Sequence, residues 1–173
     1  PAGKGGAFFE FIGSELLPYL EKKYRIGSFK TIAGIDSTAG LLNTFLYKDV
    51  PLFNAYISLS PDLQTNMEER IPKRLAELQQ PIYYYTATAD GDLKKFQKQI
   101  KTLNQNMQTV KNDQINYKFD DFSNANHYSV AILGIPQALN QIFKIYEPIS
   151  VKEYQEKIVI LPQDYVKYLT DKY

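Results

Sequence analysis

The chain has 173 residues, 44% hydrophobic and 23% charged, enough to bury one core within ordinary globular usage. Its 20 basic and 19 acidic residues leave a net charge of +1, so no long-range field recruits nucleic acid or an anionic membrane, and small ligands are favoured. The lack of cysteine excludes disulfides, thiolate catalysis and cysteine zinc sites, and a single histidine excludes multi-histidine metal sites.

No apolar run approaches the roughly 20 residues that cross a bilayer, and the N-terminus lacks the basic-then-apolar layout of a signal peptide. The expectation is a soluble protein, cytoplasmic or exported after processing. The chain opens on Pro1-Ala2-Gly3-Lys4-Gly5-Gly6 without an initiator methionine, as a processed or partial chain would.

From Ala7 to about Tyr24, Phe8, Ile12, Leu16, Tyr19 and Leu20 form one apolar stripe at helical spacing against Glu21, Lys22 and Lys23, with Pro18 expected to bend the helix. Phe29 to Ile35 reads as a strand and Thr38 to Tyr47 as the helix after it. Between them Thr31-Ile32-Ala33-Gly34-Ile35-Asp36-Ser37-Thr38-Ala39-Gly40 has the small-residue pattern of a nucleophile elbow, with an acid where serine is usual. Ala55 to Ser60 is a second strand, closed by Pro61 and followed by a helix from about Asp62 to Leu78. Ile82 to Ala87 is a third, rich in aromatic and β-branched residues. Ala89-Asp90-Gly91-Asp92 reads as a loop, Leu93 to Met107 as a helix and Ile115 to Phe119 as a fourth strand. His127 lies in the polar loop beyond, and Pro136 to Tyr146 closes the core.

Strands alternating with helices imply a mostly parallel sheet covered on both faces, with ligands beyond the carboxyl ends of the strands. Asp36, Asp90 and His127 all follow strands and share that edge. Past Pro148 the pattern changes, giving a domain over 1–148 and a helical extension over 149–173. Ser150 and Glu153 fit a capping box, and Pro162 fits the start of a further short helix through Tyr168. The tyrosines of the extension (Tyr154, Tyr165, Tyr168, Tyr173) suit packing on the domain, on further sequence or on a second copy.

The order of elbow, acid and histidine is that of an α/β-hydrolase triad. Phe11-Ile12, Leu16-Leu17-Pro18-Tyr19-Leu20-Glu21-Lys22-Lys23-Tyr24-Arg25, Thr31-Ile32-Ala33-Gly34, Leu52-Phe53-Asn54-Ala55-Tyr56-Ile57 and Ser60-Pro61 together resemble the family of esterase D and the enterochelin (siderophore) esterases, over about Phe8 to Tyr146. The resemblance implies a three-layer α/β-hydrolase-type sandwich, of which this chain matches the C-terminal two-thirds, with the early strands expected to be missing. It sets the family's Gly-His-Ser-x-Gly-Gly elbow on Gly34 to Ala39, the serine on Asp36, and the histidine on His127 within Asn126-His127-Tyr128-Ser129-Val130. It puts the triad acid after the third strand, where Asp90 is the expected residue and Asp92 suits the N-cap of the next helix.

Asp36 then has three readings. A one-residue shift would make Ser37 the nucleophile, but Ile35 would stand two positions before it, where bulk is badly tolerated. Asp36 itself could attack carbon to give an ester that a His-activated water hydrolyses, an arrangement that resembles the Gly-x-Asp elbows of epoxide hydrolases and haloalkane dehalogenases, though no cap domain is evident. The third reading is an inactive relative with a binding or assembly role. Beside all three, Asp36 suits a plain helix N-cap. Only one oxyanion-hole amide, that of Ser37, falls in the chain, and losing such a donor costs about 100 to 1000-fold in turnover. His127 in a loop with Asn124, Asn126 and Tyr128 would ordinarily be a solvated polar group. Tyr83-Tyr84-Tyr85 suits core packing, and Lys94, Lys95, Lys98 and Lys101 a solvated helix face. The expected function is hydrolysis of a small carboxylic ester or related electrophile. It needs no metal or organic cofactor and no nucleic acid, and leaves a homo-oligomer open.

Overall fold

The computed structural model describes residues 5–160 and 164–172. Its four strands, β1 (Thr31–Ile35), β2 (Ala55–Leu59), β3 (Ile82–Gly91) and β4 (Ile115–Asn126), lie side by side in chain order and all run parallel. The register sets Ile35 beside Leu59 and Leu59 beside Ala87, so β1 and β2 end level while β3 runs on past them. Parallel neighbours need crossovers, and the helices α3 (Ser37–Leu42), α4 (Met67–Glu77) and α5 (Lys94–Met107) supply them.

On one face of the sheet Tyr56, Ile82 and Tyr84 join Leu42, Phe45, Ile71, Leu75 and Leu103 in a single buried cluster. Each such large side chain contributes about 1.5–3 kcal/mol on burial. On the other face α6 (Ser129–Ile142) brings Gly134 so close that a Cβ there would lie 2.7 Å from a Leu59 methyl. The result is a three-layer α/β sandwich. Chain compactness divides the described residues at the Ala138–Leu139 bond into two units; the sheet lies in the first.

Prolines explain two departures from the expected helices. Instead of one bent helix, the N-terminal stretch forms α1 (Gly5–Phe11), a π-helical turn (Ile12–Leu16) and α2 (Leu17–Lys23). The Leu17 amide donates to the Ile12 carbonyl, and this wider turn resets the register so that Pro18 falls in the first turn of α2, where its lack of an N–H costs nothing. In α4, Pro72 deprives the Glu68 carbonyl of its helical donor, and the Asn106 side-chain amide from α5 donates to it instead, at 2.9 Å. That helix begins at Met67, five residues later than expected from Asp62, after Asn66 in a left-handed conformation (φ 61°).

Two strands outrun their expected ends. β3 continues to Gly91 and β4 to Asn126, so Ala89 and Asp90 are strand residues and not loop, and α6 starts at Ser129, ahead of Pro136. In the second unit, Ser150 and Glu153 form the expected reciprocal capping box at α7 (Val151–Glu153), followed by a π-helical turn (Tyr154–Val159) and α8 (Tyr165–Lys172). The Tyr168 hydroxyl and the Lys172 ammonium both donate to Glu153, and with the Ser150 amide they hold its carboxyl down at about 2. The expected helix start at Pro162, like Tyr173, lies outside the described residues.

α3 sits tightly on the turn after β2: a Cβ on Gly40 would lie 2.2 Å from the Asp62 carbonyl oxygen. Gly40→Ala is therefore expected to cost about 1–3 kcal/mol by overpacking, read as a lowered urea midpoint; an unchanged midpoint would contradict this contact.

Candidate functional site

The turn from β1 into α3 is built around Asp36. Its backbone takes φ 58° and ψ −127°, a conformation that a non-glycine residue occupies only at a cost. The Asp36 amide donates to the Leu59 carbonyl at 3.1 Å, and its own carbonyl accepts from Gly40 at 2.9 Å and from Asp62 at 3.1 Å. Two residues earlier, a Cβ on Gly34 would lie 2.8 Å from the Ala39 nitrogen, so only glycine fits. This is the steric signature of a nucleophile elbow with Asp36 at its tip. The N-cap reading fails: the Asp36 side chain makes no capping hydrogen bond and stands 46% exposed.

A buried polar group steadies α3 from beneath. Tyr84 of β3 donates to Asn43 at 2.8 Å, and Asn43 donates to the Ala39 carbonyl at 2.8 Å, all out of water. Burial of Tyr84 pushes its hydroxyl pKa well up, so it acts as a neutral donor.

His127 follows β4 directly, and its ring packs beside Phe96 and edge-on to Tyr128. Asn126 caps α6 by accepting from the Tyr128 and Ser129 amides, both at 3.0 Å, which fixes the backbone on which the histidine sits. His127 Nδ1 lies 2.7 Å from Asp92 Oδ1, and Nε2 lies 3.6 Å from Asp36 Oδ2. An ionised carboxylate only accepts, so Nδ1 carries a proton toward Asp92, and Nε2 is the ring atom turned toward Asp36.

The acid on His127 is therefore Asp92 and not the expected Asp90. The parallel register of β3 and β4 slips between Ala89 and Gly91, and a Cβ on Gly91 would lie 2.6 Å from the Ala125 carbonyl oxygen. At this bulge the exposed Asp90 carboxylate accepts from the Asn124 and Ala125 amides, at 2.8 and 3.2 Å, bonds that hold its pKa below the ordinary value. Asp92 instead leaves the strand end with its side chain wholly buried, accepting from Ser60 Oγ at 2.6 Å, Thr88 Oγ1 at 2.9 Å and the Leu93 amide at 2.8 Å. Burial works to raise the Asp92 pKa, but the bonds from Ser60, His127, Leu93 and Thr88 outweigh it and hold the carboxyl below 3.8.

Ser60 and Thr88, both buried, were not marked by the sequence as site residues; their one signal is a hydroxyl at or near the end of an apolar strand. Ser37 is the first residue of α3; of the His127 ring nitrogens, Nδ1 serves Asp92 and Nε2 is turned toward Asp36. Its amide lies at the helix N-terminus beside Asp36, where it suits a developing negative charge. Among the described residues no group of three or more acidic or histidine side chains could hold a metal ion, and no helix is long and apolar enough to cross a membrane.

No family model matches the chain, and no curated protein matches it. Among solved structures it is similar over its whole length to an uncharacterised protein from Capnocytophaga ochracea, with a TM-score of 0.89 and 30% identity, covering 49% of that chain. An IroE-like serine hydrolase from Shewanella oneidensis matches 99% of the chain with a TM-score of 0.75 and 16% identity, covering 65% of that protein. The BES protein from Bacillus cereus matches 82% with a TM-score of 0.72 and 22% identity, covering 56% of that protein. The fold is thus of the α/β-hydrolase type, and the chain spans less than two thirds of each of these proteins.

A native Asp92 pKa below the ordinary 3.8 means that the unfolded chain binds the proton more tightly. Its contribution to stability is thus present above 3.8 and lost as the pH falls through the lower native value. Asp92→Asn should cost about 1–3 kcal/mol near neutral pH and flatten the acid side of the stability profile measured by urea unfolding. An equally steep profile in the variant would contradict the assignment.

Proposed function

We propose that the chain carries the nucleophile, base and acid of a hydrolase for carboxylic esters or related small electrophiles, with Asp36 as nucleophile, His127 as base and Asp92 orienting the base. The observation that carries this reading is the strained elbow: a carboxylate is held at its tip with no capping hydrogen bond and faces His127 Nε2 at 3.6 Å. A strained backbone that presents a side chain with no capping bond of its own motivates a functional reading.

The chemistry follows from the groups present. An Asp36 oxygen attacks an electrophilic carbon, forming a C–O bond while the leaving group departs with its electron pair. A water then gives a proton to His127 Nε2 and attacks the Asp36 carboxyl carbon. The resulting tetrahedral oxyanion suits the Ser37 amide, and its collapse expels an alkoxide that takes the proton back from Nε2. Asp92 stabilises the transient imidazolium through Nδ1. Attack on an alkyl carbon yields an ordinary ester, whereas attack on an acyl carbon yields a less stable anhydride, so this nucleophile favours electrophiles that react at an alkyl carbon. Ser37 is a weaker candidate, because a nucleophile there would put Ile35 where the turn requires glycine.

Hydrolysis of para-nitrophenyl acetate, short alkyl bromides and short epoxides by the full-length protein tests the reading. Turnover of at least one class is expected, falling by about 100-fold or more in His127→Ala, abolished in Asp36→Asn and largely retained in Ser37→Ala. Asp36→Ser should shift activity toward the acetate ester. Loss with Ser37→Ala and not with Asp36→Asn would transfer the nucleophile to Ser37. No turnover in any form would favour a non-catalytic binding or assembly role on the same scaffold.

A further inference from the structure

The Asp92 carboxylate has places for about four hydrogen bonds, and the structure fills four. They divide unequally by purpose. Oδ1 takes His127 Nδ1 and the Leu93 amide, and Oδ2 takes two hydroxyls, Ser60 Oγ at 2.6 Å and Thr88 Oγ1 at 2.9 Å. The hydroxyls come from different strands: Ser60 directly follows β2 and Thr88 lies within β3. Both residues have no exposed surface. Ser60 also holds φ 40°, in the left-handed region that serine rarely adopts, while its amide donates to the Ala87 carbonyl at 2.9 Å. Two buried hydroxyls thus converge on the one oxygen of Asp92 that does not touch the histidine.

We propose that Ser60 and Thr88 are positioning residues that lock the Asp92 carboxylate so that, of the two ring nitrogens of His127, it accepts from Nδ1, fixing the ring tautomer that leaves Nε2 toward Asp36. This rests on the hydrolase reading for its purpose but not for its test. Without the two hydroxyls, Oδ2 is left buried and unpaired, the carboxylate is free to rotate about its Cβ–Cγ bond, and the proton on His127 is no longer confined to Nδ1. A structural role alone would lower stability and leave the tautomer unchanged.

Because His127 is the chain's one histidine, its ring nitrogens give an unambiguous nitrogen-15 signal in the resting full-length protein at neutral pH. Wild type should show Nδ1 protonated and Nε2 bare. Ser60→Ala and Thr88→Val should each give a mixture of the two tautomers with faster solvent exchange of the Nδ1 proton, and Thr88→Ser, which keeps the hydroxyl, should restore the wild-type signal. If the protein turns over a substrate, kcat should fall by about 10- to 100-fold with little change in KM. A folded Ser60→Ala or Thr88→Val variant with an unchanged tautomer overturns the proposal, as does a Thr88→Ser variant that behaves like Thr88→Val. Should Thr88→Val fail to fold, Ser60→Ala and Thr88→Ser decide between the same outcomes. A tautomer that responds in a protein without hydrolytic activity keeps the clamp and removes the hydrolase reading; intact hydrolysis with an unmoved tautomer does the reverse.

Discussion

The hydrogen bond between His127 Nδ1 and Asp92 Oδ1 is the constraint on which the candidate site depends. It joins the ends of β3 and β4, which the chain separates by α5. A buried carboxylate without partners would shed its charge by taking up a proton. Ser60, Thr88 and the Leu93 amide prevent that, and the charge they keep in place orients the imidazole. With Nδ1 committed, the only ring atom left to do chemistry is Nε2, and Asp36 is the residue opposite it.

The second requirement is the elbow, and here close packing does the positioning. Gly34 lets the turn close against Ala39, and Gly40 lets α3 approach the Asp62 carbonyl. Beneath the helix, Asn43 and Tyr84 tie it to the sheet. Each contact tolerates little added volume, so Asp36 is held in its strained conformation by its surroundings and not by a bond of its own side chain. The parallel register that ends β1 and β2 together puts this turn and Ser60 at one edge of the sheet, where β3 and β4 deliver Asp92 and His127.

Much of this was legible in the sequence because it rests on local periodicity and local sterics. The four strands, their alternation with helices, the Gly34-Ile35-Asp36 elbow and the edge shared by Asp36 and His127 all follow from patterns within a few residues. What escaped depends on contacts between distant segments. Asp90 and Asp92 lie two residues apart after the same expected strand, and local capping logic favours Asp90 as the acid and Asp92 as a helix N-cap; the slip of β3 against β4 at Gly91 instead sends Asp90 to the amides of Asn124 and Ala125 and Asp92 to His127. Ser60 and Thr88 read as ordinary strand residues until a carboxylate from another segment lies between them. Pro18 and Pro72 were visible as disturbances, but not how each would be met, by a π-helical turn in one case and by the Asn106 side chain in the other.

The central claim is that the Asp36 carboxylate forms a covalent bond to substrate, and a single turnover with the protein in excess, run in water enriched in heavy oxygen, tests it most directly. If water attacks the carboxyl carbon of an Asp36 ester, the first product carries a light oxygen from Asp36, and the heavy isotope appears in the peptide containing Asp36 by mass spectrometry. Heavy oxygen in the first product with an unlabelled Asp36 peptide would mean that water attacks the substrate directly, and would contradict the account.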